Sequence, residues 1–383
     1  MSNSQHIWKN NKKLKTGYTT GSCAAGAAKA AAIMLLSDTT VTQVKVDTPK
    51  GVSLYLDVEH VNRGTDYVSC AIQKDSGDDP DVTNGVFVYA RVEKSDIDGF
   101  VLKGGEGVGM VTKKGLEQKV GSPAINKVPR QMIEEGVIEI CRQSDYFDDH
   151  NGIMVTISIP EGVTLASKTF NPKLGIEGGI SVLGTTGIVE PMSEKALTDT
   201  IFLELKMKKE NGHDFCYVVP GNYGSAFLKD TLGYDHDYSV KCSNYIGETI
   251  DFASRLNIKG LMFIGHIGKL IKVAAGIMNT HSAQADGRME VLASHGAMAG
   301  ADSELIKQIM DSTTTNQAVE LLDNAGLLTP VMTTIMEKIE EHLNHRAGSE
   351  LKVGAIVFLI DKGILGQTNN SNEILQAIKK ENI

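Results

Sequence analysis

The sequence predicts an α+β N-terminal domain over residues 1–175, followed by a doubly wound α/β domain over residues 176–383. Three observations carry this. The chain has 383 residues, more than one hydrophobic core usually organises. Up to about Phe170 the pattern is short alternating runs broken by turn residues. From about Gly178 it becomes apolar strand, glycine turn and helix, repeated, which is the rhythm of a parallel sheet with helices on its faces.

In chain order, a helix is expected over Ser22–Leu36, where the run of Ala favours helix and the small side chains permit close backbone approach. Apolar and polar residues then alternate from Val41 to Val61 around Pro49-Lys50-Gly51, which reads as a hairpin. TDYVSCAIQK, GVFVYARVEKS and GIMVTISIP continue the strand texture, and Pro129–Arg142 is a second helix. In the second half GGISVLG and its TTG turn lead into the helical SEKALTDTIFLELKMKK. FCYVVPG leads into NYGSAFLKDTLG, GLMFIGHIG runs into KLIKVAAGIM, and KVGAIVFLID is a further apolar strand. Residues 302–345 read as helices with a break at Leu328-Thr329-Pro330, and there is no fixed-period repeat or low-complexity segment.

Composition narrows the partners. A net charge of −9 with scattered basic residues argues against nucleic acid and anionic membranes. A single Trp and few aromatics argue against a stacking surface for single strands. The five cysteines are isolated, which disfavours a disulfide framework or a zinc knuckle and fits a reducing compartment. The N-terminus is polar and basic, unlike a secretory signal. The longest apolar run, Ala24 to Leu36, contains Gly26 and Lys29 and is too short to span a bilayer. A cytoplasmic protein is expected, and a homo-oligomer stays open.

Several motifs admit two readings. Thr19, Thr20 and Ser22 precede the alanine helix: they either cap it or leave amides free at its N-terminus for an anion. Asp75–Asp81 is an acidic turn without the register of a calcium loop, so it is a solvated turn or a cation holder. Gly104-Gly-Glu-Gly-Val-Gly109 is neither a Walker loop nor a dinucleotide fingerprint, and Lys103, Lys113 and Lys114 flank it. Gly184-Thr185-Thr186-Gly187, Pro220-Gly221-Asn222 and Gly265–Lys269 each follow a predicted strand, where an open α/β sheet binds ligands, yet each also fits plain turn chemistry. His266, His281 and His295 lack metal-ligand spacing, so hydrogen bonding to substrate carboxylates or a structural role is preferred and no protein metal site is expected.

Taken together, LKTGYTTGSCAAGAAKAA, KDSGDDPDVTNG, LKGGEGVGMVTKKGL, AINKVPRQMI, NPKLGIEGGISVLGTTGIVEPMS, VPGNYG, SNYIG and GHIGKLIKVAAGIMNTHS resemble the cobalt-precorrin-5B C1-methyltransferase (CbiD) family from Leu14 to Ser282. Lys127 and Lys173 depart from the usual pattern. The resemblance implies transfer of the S-adenosylmethionine methyl to ring carbon C-1 of cobalt-precorrin-5B, giving cobalt-precorrin-6A in the anaerobic route to cobalamin. Cobalt would arrive only as part of the tetrapyrrole substrate. On α/β topology, Gly184, Thr185, Thr186, Gly187, Gly221 and Asn222 are the candidate cofactor contacts. Thr19, Thr20, Ser22, Lys113, Arg130, His266, Lys269 and His281 are the candidate substrate contacts, and no catalytic acid or base is assigned. The rivals are a galactokinase-type kinase, because GEGVG and TTGSCAAGAA superficially supply its loop and helix, and a non-catalytic tetrapyrrole-binding protein.

Overall fold

The computed structural model describes residues 5–9, 11–37, 39–146, 152–230, 233 and 239–381. It is a mixed α/β structure whose chain divides into two compact units, residues 1–193 and 194–383.

The first unit opens with β1 (His6–Lys9) and β2 (Lys12–Lys15), an antiparallel pair reversing at Asn11, whose φ of 59° is one that Asn tolerates. β3 (Gly17–Tyr18) leads into α1 (Thr20–Leu36). The expected hairpin is β4 (Gln43–Asp47) with β5 (Ser53–Asp57), in register from Gln43–Asp57 to Asp47–Ser53. Next come β6 (Glu59–Arg63), β7 (Tyr67–Gln73), β8 (Phe87–Ser95) and β9 (Gly99–Gly104), then the two-residue strands β10 (Gly107–Val108) and β11 (Met110–Val111). α2 (Lys127–Gln143), β12 (Gly152–Ser158) and α3 (Gly162–Leu165) follow. The main sheet has the order β6-β7-β8-β12-β9, with β12 antiparallel to β8 and parallel to β9.

Helix α1 is buried nearly all round, against the sheet and α2. Its small residues are required by this packing. A Cβ on Gly26 would lie 2.6 Å from Ile72 Cδ1, and one on Gly21 2.6 Å from Pro129 Cγ. Helix propensity alone does not explain such a sequence; close approach of backbones does.

One expectation is corrected here. GGISVLG does not open the α/β sheet, and residues 176–193 belong to the first unit. β13 (Ile176–Glu177) pairs with β11, β14 (Gly179–Ile180) runs parallel to β10, and β15 (Ile188–Val189) pairs with β3. Within the segment, Ile180, Val182 and Ile188 are buried in the core that surrounds α1.

The second unit begins with α4 (Glu194–Glu210) and continues through β16 (Phe215–Val219), α5 (Asn222–Asp230), β17 (Ser239–Lys241), α6 (Ile246–Arg255), β18 (Gly260–His266) and α7 (Ile267–Leu270). Thr231-Leu232, at the end of one expected helix, lies outside the described residues. Four helices follow: α8 (Arg288–Met298), α9 (Ser303–Met310), α10 (Thr315–Asn324) and α11 (Leu328–Ala347). Pro330 falls in the first turn of α11, where its missing N–H costs no helical bond. β19 (Lys352–Leu359), β20 (Gly363–Gln367) and α12 (Ser371–Glu381) complete the unit.

Its sheet has the order β17-β16-β18-β19-β20, parallel except for β20. Alternation along the strands splits its side chains between two cores. Cys216, Val218, Leu261, Phe263, Val353 and Ala355 join the cluster under the long helices. Tyr217, Val219, Met262, Ile264, Ile356 and Phe358 join one with Phe227, Leu228, Ile374 and Ile378 from α5 and α12. Apolar residues on both faces explain why these strands read as continuous hydrophobic runs.

Candidate functional site

The chain leaves β16 for β17 on one side and then crosses to β18 on the other. The strand order therefore reverses at the β16/β18 boundary, and loops leaving their carboxyl ends diverge to open a crevice. Pro220-Gly221-Asn222 and His266–Lys269 stand at this boundary, so the structure brings together four of the sequence candidates: Gly221, Asn222, His266 and Lys269.

Lys269 makes bonds within the protein. Its Nζ donates to the Pro220 carbonyl and, at 3.3 Å, to the Ser243 carbonyl. The half-buried ammonium thus ties together the turns after β16, β17 and β18. Burial lowers its pKa from the ordinary lysine value. Beside it, Lys241 Nζ donates to Asn222 Oδ1 at 3.4 Å.

His266 caps α7: its Nδ1 accepts from the Gly268 N–H at 3.1 Å. Burial pushes its pKa down, which favours the neutral ring at pH 7. With Nδ1 committed as acceptor, the proton of that neutral ring sits on Nε2. Nε2 has no partner among the described residues. Tyr223, one residue into α5, stands with its ring centroid 6.1 Å from that of His266 and is 66% exposed.

Two further features surround the turn after β16. Gly221 has no internal need to be glycine: a Cβ there would meet only Lys269 Nζ, at 3.6 Å. Ser225, on the first turns of α5, is buried with no partner for its Oγ. VPGNYG stands out in the sequence as a motif, but nothing in it singles out Tyr223 or Ser225.

His281 is exposed, and its Nδ1 accepts from the Ala283 N–H at 3.1 Å, closing a turn. That turn adjoins the chain after β17: Asn279 bridges Tyr245, and Thr280 N donates to Asn244 O at 2.9 Å. Lys272, buried, holds the same loop by donating to the Thr280 and Ala285 carbonyls at 3.3 and 2.8 Å.

In the first unit the N-terminus of α1 is closed by the chain itself. Thr19 Oγ1 accepts from Ser22 N at 3.2 Å, Gly21 N donates to Leu183 O at 3.0 Å, and Ser22 Oγ donates to Gly187 O at 2.7 Å. Thr20 Oγ1 accepts from Leu183 N at 2.9 Å. Thr19, Thr20 and Ser22 are thus buried hydroxyls that fasten residues 183–187 to the helix, and the amides of Gly21 and Ser22 are not free for an anion. The Gly184–Gly187 turn consequently does not lie on the α/β sheet edge where topology had put it. A Cβ on Gly184 would collide with Thr19 Oγ1 at 2.2 Å, whereas Thr185 and Thr186 are exposed. Arg130 follows Pro129, which packs on Gly21; its guanidinium is half-exposed and has no partner among the described residues. Lys113 stands apart, its stem against Gly175 and its ammonium exposed.

The remaining motifs are structural. A Cβ on Gly107 would lie 1.7 Å from Ile159 O, and one on Gly109 2.3 Å from Ile176 Cγ2. The GEGVG loop is therefore filled by its own backbone neighbours and is no open phosphate cradle. In the acidic turn, Asp75 pairs with Lys15 at 2.6 Å, Asp78 accepts from Lys15 N, Asp79 accepts from Met192 N, and Asp81 pairs with buried Lys74 at 2.7 Å. It is a wired clasp rather than a solvated loop. No cluster of three or more metal-ligating side chains exists among the described residues. All five cysteines are free and buried; burial pushes the thiols of Cys23, Cys70, Cys216 and Cys242 up to about 12 and that of Cys141 to about 11, so none is a poised nucleophile. No described helix is long and apolar enough to cross a membrane.

Comparison with known proteins agrees in one direction. The CbiD family model matches residues 7–191, and that of the CbiD C-terminal domain matches residues 279–369. A protein of Ruminiclostridium cellulolyticum named cobalt-precorrin-5B C(1)-methyltransferase is 50% identical over 92% of this chain and 91% of its own. A protein of the same name from Alkaliphilus metalliredigens is 44% identical over 99% of both chains. The crystal structure of the cobalamin biosynthesis protein CbiD from Archaeoglobus fulgidus aligns at 29% identity over 73% of this chain and 86% of that one, with a TM-score of 0.39. With both family regions matched and identity sustained over nearly the full length, the chain belongs to the CbiD family.

Proposed function

We propose that this protein transfers a methyl group from S-adenosylmethionine to ring carbon C-1 of cobalt-precorrin-5B, giving cobalt-precorrin-6A on the way to cobalamin. The reaction is inferred from relatives so named at 40–50% identity over nearly the whole chain. The place of the methyl donor is inferred from one observation, the reversal of strand order between β16 and β18, because open α/β sheets bind ligands at such switch points.

Two details beside that switch point suit a donor. Gly221 leaves open the volume that a side chain would fill, and the Ser225 Oγ, buried one turn further on, lacks a hydrogen-bond partner within the protein. When bound, the donor supplies an electrophilic sulfonium methyl. The chain's own task is positioning, because placing reactants in line contributes up to about 7–11 kcal/mol without a covalent step. Asn222, steadied by Lys241, offers an amide to the donor, and Lys269 fixes the spacing of the three turns. In the first unit Arg130, Lys113 and the exposed Thr185 and Thr186 are proposed to meet the carboxylates and rim of the macrocycle, where charge-assisted bonds are the strong ones. Cobalt arrives within that substrate. The two compact units are read as two domains, α+β and doubly wound α/β.

The kinase alternative loses its main support with the closed GEGVG loop. Titration calorimetry tests the choice: S-adenosylhomocysteine should bind saturably without added metal, and methyl transfer to cobalt-precorrin-5B should follow. Binding of ATP in its place overturns the proposal, as does donor binding without any transfer. For the rim, Thr185→Val should weaken macrocycle binding while leaving the melting temperature unchanged, whereas Thr186→Val also removes the bonds of its hydroxyl to Ile188 O and N and should lower both; unaltered affinity removes these residues from the site.

A further inference from the structure

Tyr223 stands in the first turn of α5, directly after β16 at the switch point of the sheet. Its ring is tilted at 44° to that of His266, centroids 6.1 Å apart; the His266 ring is itself set edge-on to Phe358 at 87° with centroids 5.8 Å apart, and two-thirds of Tyr223 is open. The packing on Phe358 and the bond from Gly268 N to Nδ1 fix the His266 ring in place and in tautomer. The result is a flat aromatic face next to one committed N–H donor, beside a glycine turn with room for a ligand.

We propose that Tyr223 and His266 form the wall that holds the adenine ring of the methyl donor, Tyr223 by stacking and His266 by donating from Nε2 to a ring nitrogen. This rests on the reading that the donor occupies the switch-point crevice. A purine offers a single flat face with acceptor nitrogens at its edge, which matches one exposed ring and one donor. The far wider macrocycle needs a broad apolar surface, and the neighbours of Tyr223 here are Gly221, Asn222 and Lys241. Stacking of a base on an aromatic side chain is lost on truncation to Ala but survives replacement of Tyr by Phe, because the hydroxyl takes no part.

The test is calorimetric titration of the full chain with S-adenosylhomocysteine and, separately, adenosine. Tyr223→Ala should weaken both roughly ten-fold, within the range that base stacking contributes, and Tyr223→Phe should keep wild-type affinity. His266→Asn retains an oxygen to cap α7 but loses the Nε2–H, and should weaken both ligands by about 3- to 10-fold. Wild-type affinity in Tyr223→Ala overturns the wall, and so does a loss confined to the macrocycle. Gly221→Leu separates this inference from its premise. If it leaves S-adenosylhomocysteine bound as before, the donor is not in the crevice and the site reading itself fails. If it abolishes binding while Tyr223→Ala and His266→Asn bind normally, only the wall is wrong. Thermal unfolding of each variant verifies that the fold is intact.

Discussion

The substitution Lys74→Met tests whether the acidic turn is a built clasp. Lys74 is 4% exposed, and its ammonium bonds Asp81 at 2.7 Å and Ser76 Oγ. Asp81 also accepts from Thr83 N and Thr83 Oγ1, at 2.8 and 2.7 Å. Methionine nearly keeps the length of the side chain and removes the charge. Breaking a buried ion pair from one side costs about 3–5 kcal/mol. Because the Asp81 side chain stays 27% exposed and keeps both Thr83 bonds, the low end, about 3 kcal/mol, is expected. Burial works against the Asp81 carboxylate, but Lys74 and then Thr83 hold its pKa below the usual value. Its contribution is therefore complete above the unfolded carboxylate pKa of about 4 and fades as pH falls through the lower folded value. In the Lys74→Met variant the uncompensated carboxylate can protonate, so the difference from wild type should shrink between pH 7 and pH 4. Urea unfolding at both pH values measures it, with hydrogen exchange of the 75–84 amides assigning the loss to the first unit. A loss under about 1 kcal/mol at pH 7, or one that does not diminish at pH 4, refutes the reasoning.

Further outcomes follow from the same geometry. Gly107→Ala combines a φ of +71° with a Cβ 1.7 Å from Ile159 O, and should cost about 3 kcal/mol, against about 1–2 for Gly51→Ala, which has a φ of +79° but open space; equal urea midpoints would remove the steric argument. The native protein should resist labelling by a thiol reagent, and all five cysteines should react once urea unfolds it; fast labelling of the folded chain contradicts their burial. The Asp286 carboxyl is held at about 2, chiefly by its hydrogen bond from Arg288. Its stabilisation is present above the unfolded value near 4 and lost as pH drops toward 2, so the gap in urea midpoint between wild type and Asp286→Asn should close over that interval. Since Asp286 is 51% exposed, that gap stays below about 1 kcal/mol.

The elements legible in the sequence were those whose signal is local. The 41–61 hairpin and the second helix each bury one face with their own period, α1 is announced by its alanine run and the strands of the second half by continuous apolar runs, and the structure has them close to where the pattern puts them. GGISVLG failed because a short apolar run states that it is buried and not against what; its partners, β10 and the start of α1, are distant in sequence. The β1–β2 pair was missed because its polar residues carry no alternation. Strand-then-turn order was enough to place Gly221 and Asn222 at the end of β16, where the structure has them. The two backbone carbonyls that Lys269 binds were not legible, because no pattern tells which distant turns an ammonium will tie together.

The order β6-β7-β8-β12-β9 has a consequence for how the first unit is made. β8 and β9 are separated by only Asp96-Ile97-Asp98 and run in opposite directions, yet β12 lies between them. They are the arms of a split hairpin. During synthesis both arms emerge before residues 152–158 exist, and their readiest local pairing is with one another. That pairing must stay loose or be undone for β12 to enter, and Gly152 is fitted under the connecting loop so closely that a Cβ would sit 1.8 Å from Ile97 O. Entry of a late strand between two early ones is a long-range closure, which slows folding. A chain truncated before Gly152 should thus hold a β8–β9 pair absent from the finished protein, detectable as cross-strand proton contacts between residues 87–95 and 99–104 that the full chain, with β12 between them, lacks.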